Sequence, residues 1–427
     1  MPELVLFIIF CIGIILFFKK VIKNEIFHPV FVSLVYWIAF LLCSILISIS
    51  FNIRFSWSGI FPIFLLLFSF IAGSLLISSK INNRIKQIDG NINDKRIIEP
   101  ETFKKIIIAY SIIGFIAIIV QLLFLNLSIK SISDVFNVAG KISVLRYTNQ
   151  TDVPKFSLFL AGFMYAGAFS GGVYYVISRD RLQKVISILP VLIALLFTIT
   201  NGVKTSFLYS ICIWISGYMA NYVYTNKGIV VNFRKIILKF SGILFIVLLS
   251  IPLVYFLRGG NINSKMAIIN HSTVSYFASF NAFSIWWEHY YLDTLSFFKY
   301  SLSGIHNILY QDRVSGLYPD SYGVGVINGE IINTNVFTIV RGFIEDFSIL
   351  GAVVIMFLTG ILMTYFYYLS KRKKIIGVFL LGVCYSVLFW SFTVNMLNYN
   401  TIIFSWIIVL ITLILLNRNH YLFSSKK

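Results

Sequence analysis

The stretch YPDSYGVGVINGEIINTNVFTIVRGFIEDFSILG, from Tyr318 to Gly351, passes without interruption from a polar loop into a long apolar run. Only 12% of the chain is charged, yet this stretch gathers Asp320, Glu330, Arg341, Glu345 and Asp346. Charged groups at the end of a membrane helix are unfavourable unless they are paired or used. We therefore expect a functional site here, provided that the rest of the chain is embedded in a membrane.

The composition indicates a polytopic membrane protein. Hydrophobic residues make up 58% of the 427 positions, aromatic residues 17%, and the mean hydropathy is +0.87. These values lie far from those of a soluble globular chain. The net charge of +19 is then expected to orient the spans rather than to bind nucleic acid. The four cysteines all lie in apolar runs without a C-x-x-C pair, so neither a disulfide framework nor a metal cluster is predicted.

The hydropathy pattern predicts an all-α fold of about eleven transmembrane helices within a single membrane domain, 1–427. The apolar runs approach the ~20 residues needed to cross hydrocarbon, and they lie at 4–18, 30–49, 59–78, 106–125, 156–177, 185–200, 205–224, 237–257, 347–369, 375–394 and 400–416. With the N-terminus outside, 24 of the 35 basic residues fall in inner loops. The positive-inside rule therefore predicts an outer N-terminus and a cytoplasmic C-terminus.

Two long loops are expected on the outer side, at 126–155 and at 258–346, the latter between helices 8 and 9. Loops of this length are usually functional or disordered. The aromatic-rich segment 273–300 argues against disorder. We interpret it as a short interfacial helix, with aromatic side chains at headgroup depth, namely Trp286, Trp287, Tyr290 and Tyr291.

Arg341 and Glu345 are four residues apart, so a helix places them on one face, with Asp346 turned about 100° away. A helix over 336–369 exceeds the hydrocarbon thickness, so its first turns are predicted to project outward or to bend at Gly342. The simpler alternative is a local ion pair at a helix start.

Two more cations, Lys204 and Arg258, also lie where a helix meets the outer boundary. Arginine binds phosphate through two parallel hydrogen bonds, and lysine binds it as a point charge. Snorkelling towards the headgroups is the alternative for both residues.

His306 is a further candidate for proton transfer, against the alternative of an ordinary surface histidine. Asp320 and Glu330 lie among glycine and asparagine residues, which predicts turns. The sequence contains neither G-x-x-x-x-G-K-[ST] nor H-E-x-x-H, so ATP-driven transport, a bound zinc and a cofactor are not predicted.

The same stretch resembles the Wzy-type oligosaccharide repeat unit polymerases, which build O-antigen and capsule. The resemblance rests on Asn335-Val-Phe-Thr338, Arg341, Asp346-Phe347 and Gly351, followed by the long apolar run. The turn Gly202-Val-Lys204-Thr205, the eleven predicted helices and the large outer loop are also similar to that family.

The resemblance implies glycosyl transfer on the outer face of the bacterial cytoplasmic membrane. A growing glycan would leave undecaprenyl pyrophosphate for the terminal sugar of an incoming lipid-linked repeat unit. Glu345 or Asp346 would act as the base, with His306 as the next choice. Binding of pyrophosphate or glycan would fall to Arg341, Arg258, Lys204, Arg146, Asn335 and Tyr322. The implied partners are lipid-linked oligosaccharides and membrane lipids, with a chain-length regulator as a further candidate.

Three rival functions remain open. An O-antigen ligase uses the same donor, and Ile305-His306-Asn307 is similar to its loop histidine. A polyprenyl-phosphate-sugar transferase is expected to carry acidic residues in its first outer loop, and Ser50–Ser58 has none. A flippase or other transporter of lipid-linked oligosaccharide is the non-enzymatic rival, although flippases tend to show internal repeats and short loops on both sides, and neither is seen here.

Overall fold

The computed structural model describes residues 2–22, 25–85, 100–127, 134, 137–142, 155–201, 205–225, 265–291, 295–310, 322–327, 330–334 and 336–424. The predicted span 237–257 and much of the predicted loop 126–155 lie outside these residues. Four predicted binding residues do so as well: Arg146, Lys204, Arg258 and Asn335.

Helices dominate the described part of the chain. They are α1 (Pro2–Val21), α2 (Pro29–Ser50), α3 (Ile60–Ile85), α4 (Pro100–Phe124), α5 (Lys155–Ile177), α6 (Arg181–Asn201), α7 (Thr205–Thr225), α8 (Lys265–Glu288), α9 (Ser303–Tyr310), α10 (Ile339–Lys371), α11 (Ile375–Trp390) and α12 (Asn400–Ser424). Two 3-10 turns, Trp57–Gly59 and Met396–Asn398, precede α3 and α12.

Seven helices in the described residues are long and apolar enough to cross a membrane by length and composition. They are α1 to α6, with α3 taken together with its preceding turn, and α10. Two shorter apolar helices, Ile375–Trp390 and Asn400–Leu416, accompany them. The architecture is that of a polytopic membrane protein. α7 matches the predicted run 205–224 but is more polar, and most of its residues are buried against other helices.

The start of α2 shows how the sequence sets a helix boundary. Pro29 occupies the first helical position, where its fixed φ suits a helix and its missing N–H is not needed. The imidazole Nδ1 of His28 accepts a hydrogen bond from the N–H of Val30 at 3.3 Å. This contact satisfies one of the free donors at the helix start, so α2 begins where the sequence changes from Phe27 to His28 and Pro29.

α10 crosses α3 at close range because glycine faces the partner backbone on both helices. A Cβ atom on Gly73 would collide with the carbonyl of Phe357, and one on Gly360 would collide with the carbonyl of Phe70. Small residues allow such close approach of backbones in membrane helices. The crossing fixes α10, and with it the charged residues at its start.

α10 bends at Ser348, so of the two predicted possibilities the bend at Gly342 is not the one adopted. Ser348 has φ 63° and ψ 172°, so the helical geometry is interrupted there. Its hydroxyl accepts from the N–H of Gly351 at 3.5 Å, as an N-cap residue does. The apolar part that follows, 349–371, is about 34 Å long at 1.5 Å per residue, close to the ~30 Å hydrocarbon thickness. The charged residues Arg341, Glu345 and Asp346 lie in the segment before Ser348.

Within the described residues, a β-hairpin departs from the expected all-α fold. β1 (Tyr322–Ile327) pairs antiparallel with β2 (Glu330–Thr334), with Tyr322 opposite Thr334. Glu330 was expected in a turn, but it is the first residue of β2, opposite Ile327. Alternating β-branched residues such as Val324, Val326 and Ile332 favour a strand over a turn.

The aromatic segment predicted as an interfacial helix over 273–300 takes a different form. Its helix, α8, ends at Glu288, and residues 278–286 are buried against the protein. Trp286 is only 6% exposed, so its ring packs inside the protein rather than among lipid headgroups. α8 packs on α2, on the Trp57–Gly59 turn and on β1. Tyr291, just after α8, is 80% exposed.

Candidate active site at the start of α10

Arg341 is a buried cation in the first turn of α10. Only 4% of its surface is exposed, and its Nε donates to Oε1 of Glu345 at 2.8 Å. The shared face is the one predicted from the four-residue spacing, and the contact itself is the local ion pair given as the simpler alternative. A charge this deeply buried is tolerated only when it is paired. Glu345 therefore stabilises the arginine in place.

Two aromatic rings enclose the guanidinium group. Its central carbon lies 4.0 Å from the ring centroid of Phe337 and 5.0 Å from that of Trp286. Aromatic faces attract a cation, more strongly when water is excluded. The two rings belong to α8 and to the segment before α10, so the site is assembled from distant parts of the sequence.

Glu345 is the more accessible member of the ion pair. Its side chain is 21% exposed, whereas that of Arg341 is 5% exposed. Tyr290 lies near it: burial raises the pKa of the Tyr290 hydroxyl, and the negative charge of Glu345 raises it further. A partly exposed carboxylate is able to exchange a proton with a bound molecule.

An aromatic wall extends the site beyond the arginine. The ring centroid of Tyr290 lies 4.8 Å from that of Trp286. The Tyr290 ring is also stacked on Trp287, with 5.5 Å between the centroids. On the other side, Tyr322 of β1 meets Phe337 edge to face at 5.8 Å. Tyr322 and the Arg341 guanidinium thus contact the same ring, that of Phe337.

Asp346 faces away from Arg341 and holds a neighbouring loop. It is fully buried, and its carboxylate accepts the N–H of Ser301 at 2.7 Å and that of Tyr300 at 3.2 Å. Asp346 is thus enclosed and held by main-chain donors, whereas the Glu345 carboxylate is partly exposed.

His306 lies on α9, where its ring packs on Tyr310 at 4.7 Å. α9 rests on the Met396–Asn398 turn and α12. Within the described part of the chain, no hydrogen bond reaches Nδ1 of His306, which is buried. The structure places this histidine on a different element from the Arg341–Glu345 pair.

The segment between α2 and α3 supports α8. Asn281 of α8 is 1% exposed and donates to the Arg54 carbonyl and to the Ser48 hydroxyl, both at 2.8 Å. The Arg54 N–H in turn donates to the carbonyl of Val324 in β1 at 2.7 Å. These contacts fix α8 and the hairpin together, and so they fix Trp286 and Tyr322.

At the surface, an ion pair also joins the segment between α2 and α3 to the end of α8; we call this contact region the junction. Arg54 donates to Glu288 at 3.1 Å. The hydrogen bond from Ser56 chiefly, and then that from Arg54, hold the pKa of Glu288 below its ordinary value. Exposed pairs of this kind contribute about 0–1 kcal/mol, so the junction depends mainly on Asn281.

Sequence reasoning missed Trp286, Phe337 and Asn281 as parts of the site. Tryptophan is common at membrane interfaces, so the sequence predicts headgroup depth for Trp286 rather than contact with Arg341. Phe337 lies inside the quoted Asn335–Thr338 motif, which is the signal that could have indicated it. Nothing in the sequence singles out Asn281. Across the described residues, no cluster of His, Cys, Asp and Glu side chains is arranged to hold a metal ion.

Comparison with models of known protein families, with curated protein sequences and with solved structures gave no significant match.

Proposed function

We propose that this chain is a membrane glycosyltransferase that polymerises lipid-linked oligosaccharide repeat units. The observation that carries the proposal is the Arg341–Glu345 pair, closed between Trp286 and Phe337 at the start of an apolar helix. A buried cation, a reachable carboxylate and an aromatic wall suit a substrate with both phosphate and sugar parts. The start of a spanning helix is also the depth at which a lipid carrier presents its phosphates.

The reaction joins the growing glycan to the incoming repeat unit. An acceptor hydroxyl oxygen attacks the anomeric carbon of the growing glycan, and the bond from that carbon to the lipid pyrophosphate breaks. The pyrophosphate keeps the bonding electrons, and Glu345 takes the hydroxyl proton. Arg341 stabilises the charge that builds on the leaving pyrophosphate. No nucleotide sugar and no metal enter this scheme.

The ion pair couples these two roles. While Glu345 is ionised, it neutralises Arg341 at 2.8 Å. Once Glu345 has accepted a proton, the guanidinium charge is no longer compensated, at the moment when the pyrophosphate gains charge. The neighbouring base and cation therefore act in the same step.

The other predicted binding residues complete the proposal. Tyr322 and the aromatic wall are proposed to stack on sugar rings, which present apolar faces. Lys204, Arg258, Arg146 and Asn335 are proposed to reach the pyrophosphate or the glycan from the outer side. We further propose eleven spans in a bacterial cytoplasmic membrane, with an outer N-terminus, a cytoplasmic C-terminus and a chain-length regulator as a candidate partner.

The test is the set of lipid-linked glycans in cells that lack this protein. Accumulation of single repeat units on the outer leaflet is expected. Long unattached chains would instead indicate a ligase, and repeat units trapped on the inner leaflet would indicate a flippase.

Matched variants then link the phenotype to the site. The wild-type gene should restore long chains, and Arg341→Lys should not, because lysine lacks the planar fork. Arg179→Lys makes the same change at an exposed position distant in sequence and should restore them. Long chains with Arg341→Lys, at normal membrane levels of the protein, would contradict the assignment.

A further inference from the structure

An apolar patch faces outward beside the candidate site. Its members come from residues 295–310, and we call them the outer apolar patch: Phe297, Phe298, Ile305, Ile308, Leu309 and Tyr310. Their exposed fractions run from 37% for Ile305 to 69% for Leu309. Exposed apolar groups gathered this closely usually mark an interaction surface.

α9 presents this patch in a fixed orientation. At 100° per residue, Ile305, Ile308 and Leu309 share one face of the helix. On the inner side, Ser303 and Gly304 are buried. The N–H of Ser303 donates to the Asn398 side chain at 3.1 Å. The small residues of α9 therefore face the protein, and its large apolar residues face outward.

The patch continues an apolar stripe on α10. The rings of Phe297 and Phe298 meet Phe347 edge to face, at 6.3 Å and 4.9 Å. Beyond the Ser348 bend, four exposed residues follow one another at four-residue intervals, and they are Leu350, Val354, Leu358 and Leu362. Since α10 is long and apolar enough to cross a membrane, this stripe is the face that contacts lipid. The patch extends that face towards the outer end.

The charges of the patch suit a phospholipid surface. Residues 295–310 contain no Asp or Glu. Their one lysine, Lys299, is exposed between Phe298 and Tyr300, with its Nζ 5.8 Å from the Tyr300 ring centroid. A cation bordered by aromatic rings is typical of segments that lie at the boundary between headgroups and acyl chains.

We propose that the outer apolar patch is docked in the bilayer, with Ile308 and Leu309 among the acyl chains and Lys299 at the level of the lipid phosphates. The bound partner is the surface of a phospholipid leaflet. Asp346 holds the patch to the protein, because its carboxylate and its carbonyl accept the N–H groups of Ser301 and Phe297. The inference does not depend on the proposed enzymatic function.

Site-specific photocrosslinking in the membrane tests the proposal. A benzophenone amino acid replaces Leu309 in the full-length protein, and the irradiated protein is analysed by mass spectrometry. The same replacement at Leu358, on the lipid-facing stripe, is the positive comparison. Asn307, about 160° from Leu309 on α9, is the matched negative comparison. We expect lipid adducts at Leu309 with a yield like that at Leu358, and several-fold fewer at Asn307.

Two results would overturn the proposal. A crosslinked dimer in place of lipid adducts would show that a second copy of the chain covers the patch. An absence of adducts at Leu309, with adducts at Leu358, would show that the patch faces water. Phe298, replaced in the same way by a residue of similar shape, repeats the test should the Leu309 variant fail to insert.

Discussion

Nε of Arg341 lies 2.8 Å from Oε1 of Glu345, and the two side chains differ in their access to solvent. The arginine is enclosed by protein, and the carboxylate is partly open. An exposed ion pair at a helix start would contribute little, whereas this one is enclosed by two aromatic rings. This asymmetry is the reason for assigning charge stabilisation to Arg341 and proton transfer to Glu345.

Asp346 should matter for stability, because it holds the main chain at residues 300 and 301. Asp346→Ala leaves these N–H groups without their acceptor, which costs about 1–3 kcal/mol. Asp346→Asn keeps one acceptor oxygen and should be milder. Thermal unfolding of the purified protein measures both, with Glu345→Gln as the neighbouring control. An Asp346→Asn variant of native stability that fails to extend chains would instead assign proton transfer to Asp346.

The crossing of α3 and α10 should be sensitive to a single methyl group. Gly360→Ala places a Cβ against the Phe70 carbonyl, so the helices must separate, at a cost of about 1–3 kcal/mol. Gly13→Ala is the matched control, since a Cβ there meets nothing within 4 Å. The control should be neutral or slightly stabilising. Equal unfolding temperatures for the two variants would refute the close crossing.

The α1–α2 connection should make stability depend on pH. Glu25 accepts from Lys371 at 2.6 Å and from Tyr367 at 2.7 Å. Burial alone would raise the pKa of Glu25, but the charge and hydrogen bond of Lys371 outweigh it, so the pKa lies below its ordinary value. Its contribution is therefore complete above the ordinary value of about 4.3 and is lost as the pH falls through the lowered one.

Unfolding temperatures of the wild-type protein and of Glu25→Gln, measured from pH 7 down to pH 3, test this dependence. The wild-type protein should be the more stable of the two near neutrality, and the difference should shrink as the pH falls. A difference that stays constant over the whole range would show that Glu25 does not titrate with folding.

The proposed orientation has a direct test in thiol labelling. Tyr291 is 80% exposed just after α8, on the proposed outer side. Tyr291→Cys should react with an impermeant reagent in intact cells. Arg181→Cys, exposed at the start of α6 on the proposed inner side, should react only after permeabilisation, and the wild-type protein gives the background. The reverse pattern would invert the topology.

Seven of the eleven predicted spans coincide with helices that are long and apolar enough to cross a membrane, because a run of about 20 apolar residues has few other structures in a membrane. The sequence also predicted that Arg341 and Glu345 share a face, since that follows from helical spacing alone. Ser348 escaped prediction because a positive φ is unusual for serine. Only the packing around it shows the bend.

The surroundings of the site could not be read from the sequence, for a physical reason. Aromatic side chains are equally suited to lipid headgroups and to a protein interior, so the burial of Trp286 depends on what packs against it. The contacts of Asn281 with Arg54 and Ser48 join residues more than 200 positions apart. Such contacts follow from the tertiary fold and have no local pattern.

Chain extension by the purified protein in lipid nanodiscs tests whether Arg341 and Glu345 transfer a glycan from a lipid pyrophosphate. Given lipid-pyrophosphate-linked repeat units, the wild-type protein should release one lipid pyrophosphate for each new glycosidic bond. Glu345→Gln keeps an acceptor for Arg341 but cannot take the proton, and it should extend chains about 10²–10⁴-fold more slowly. Extension at the wild-type rate by this variant, or no extension by a folded wild-type protein, would contradict the account.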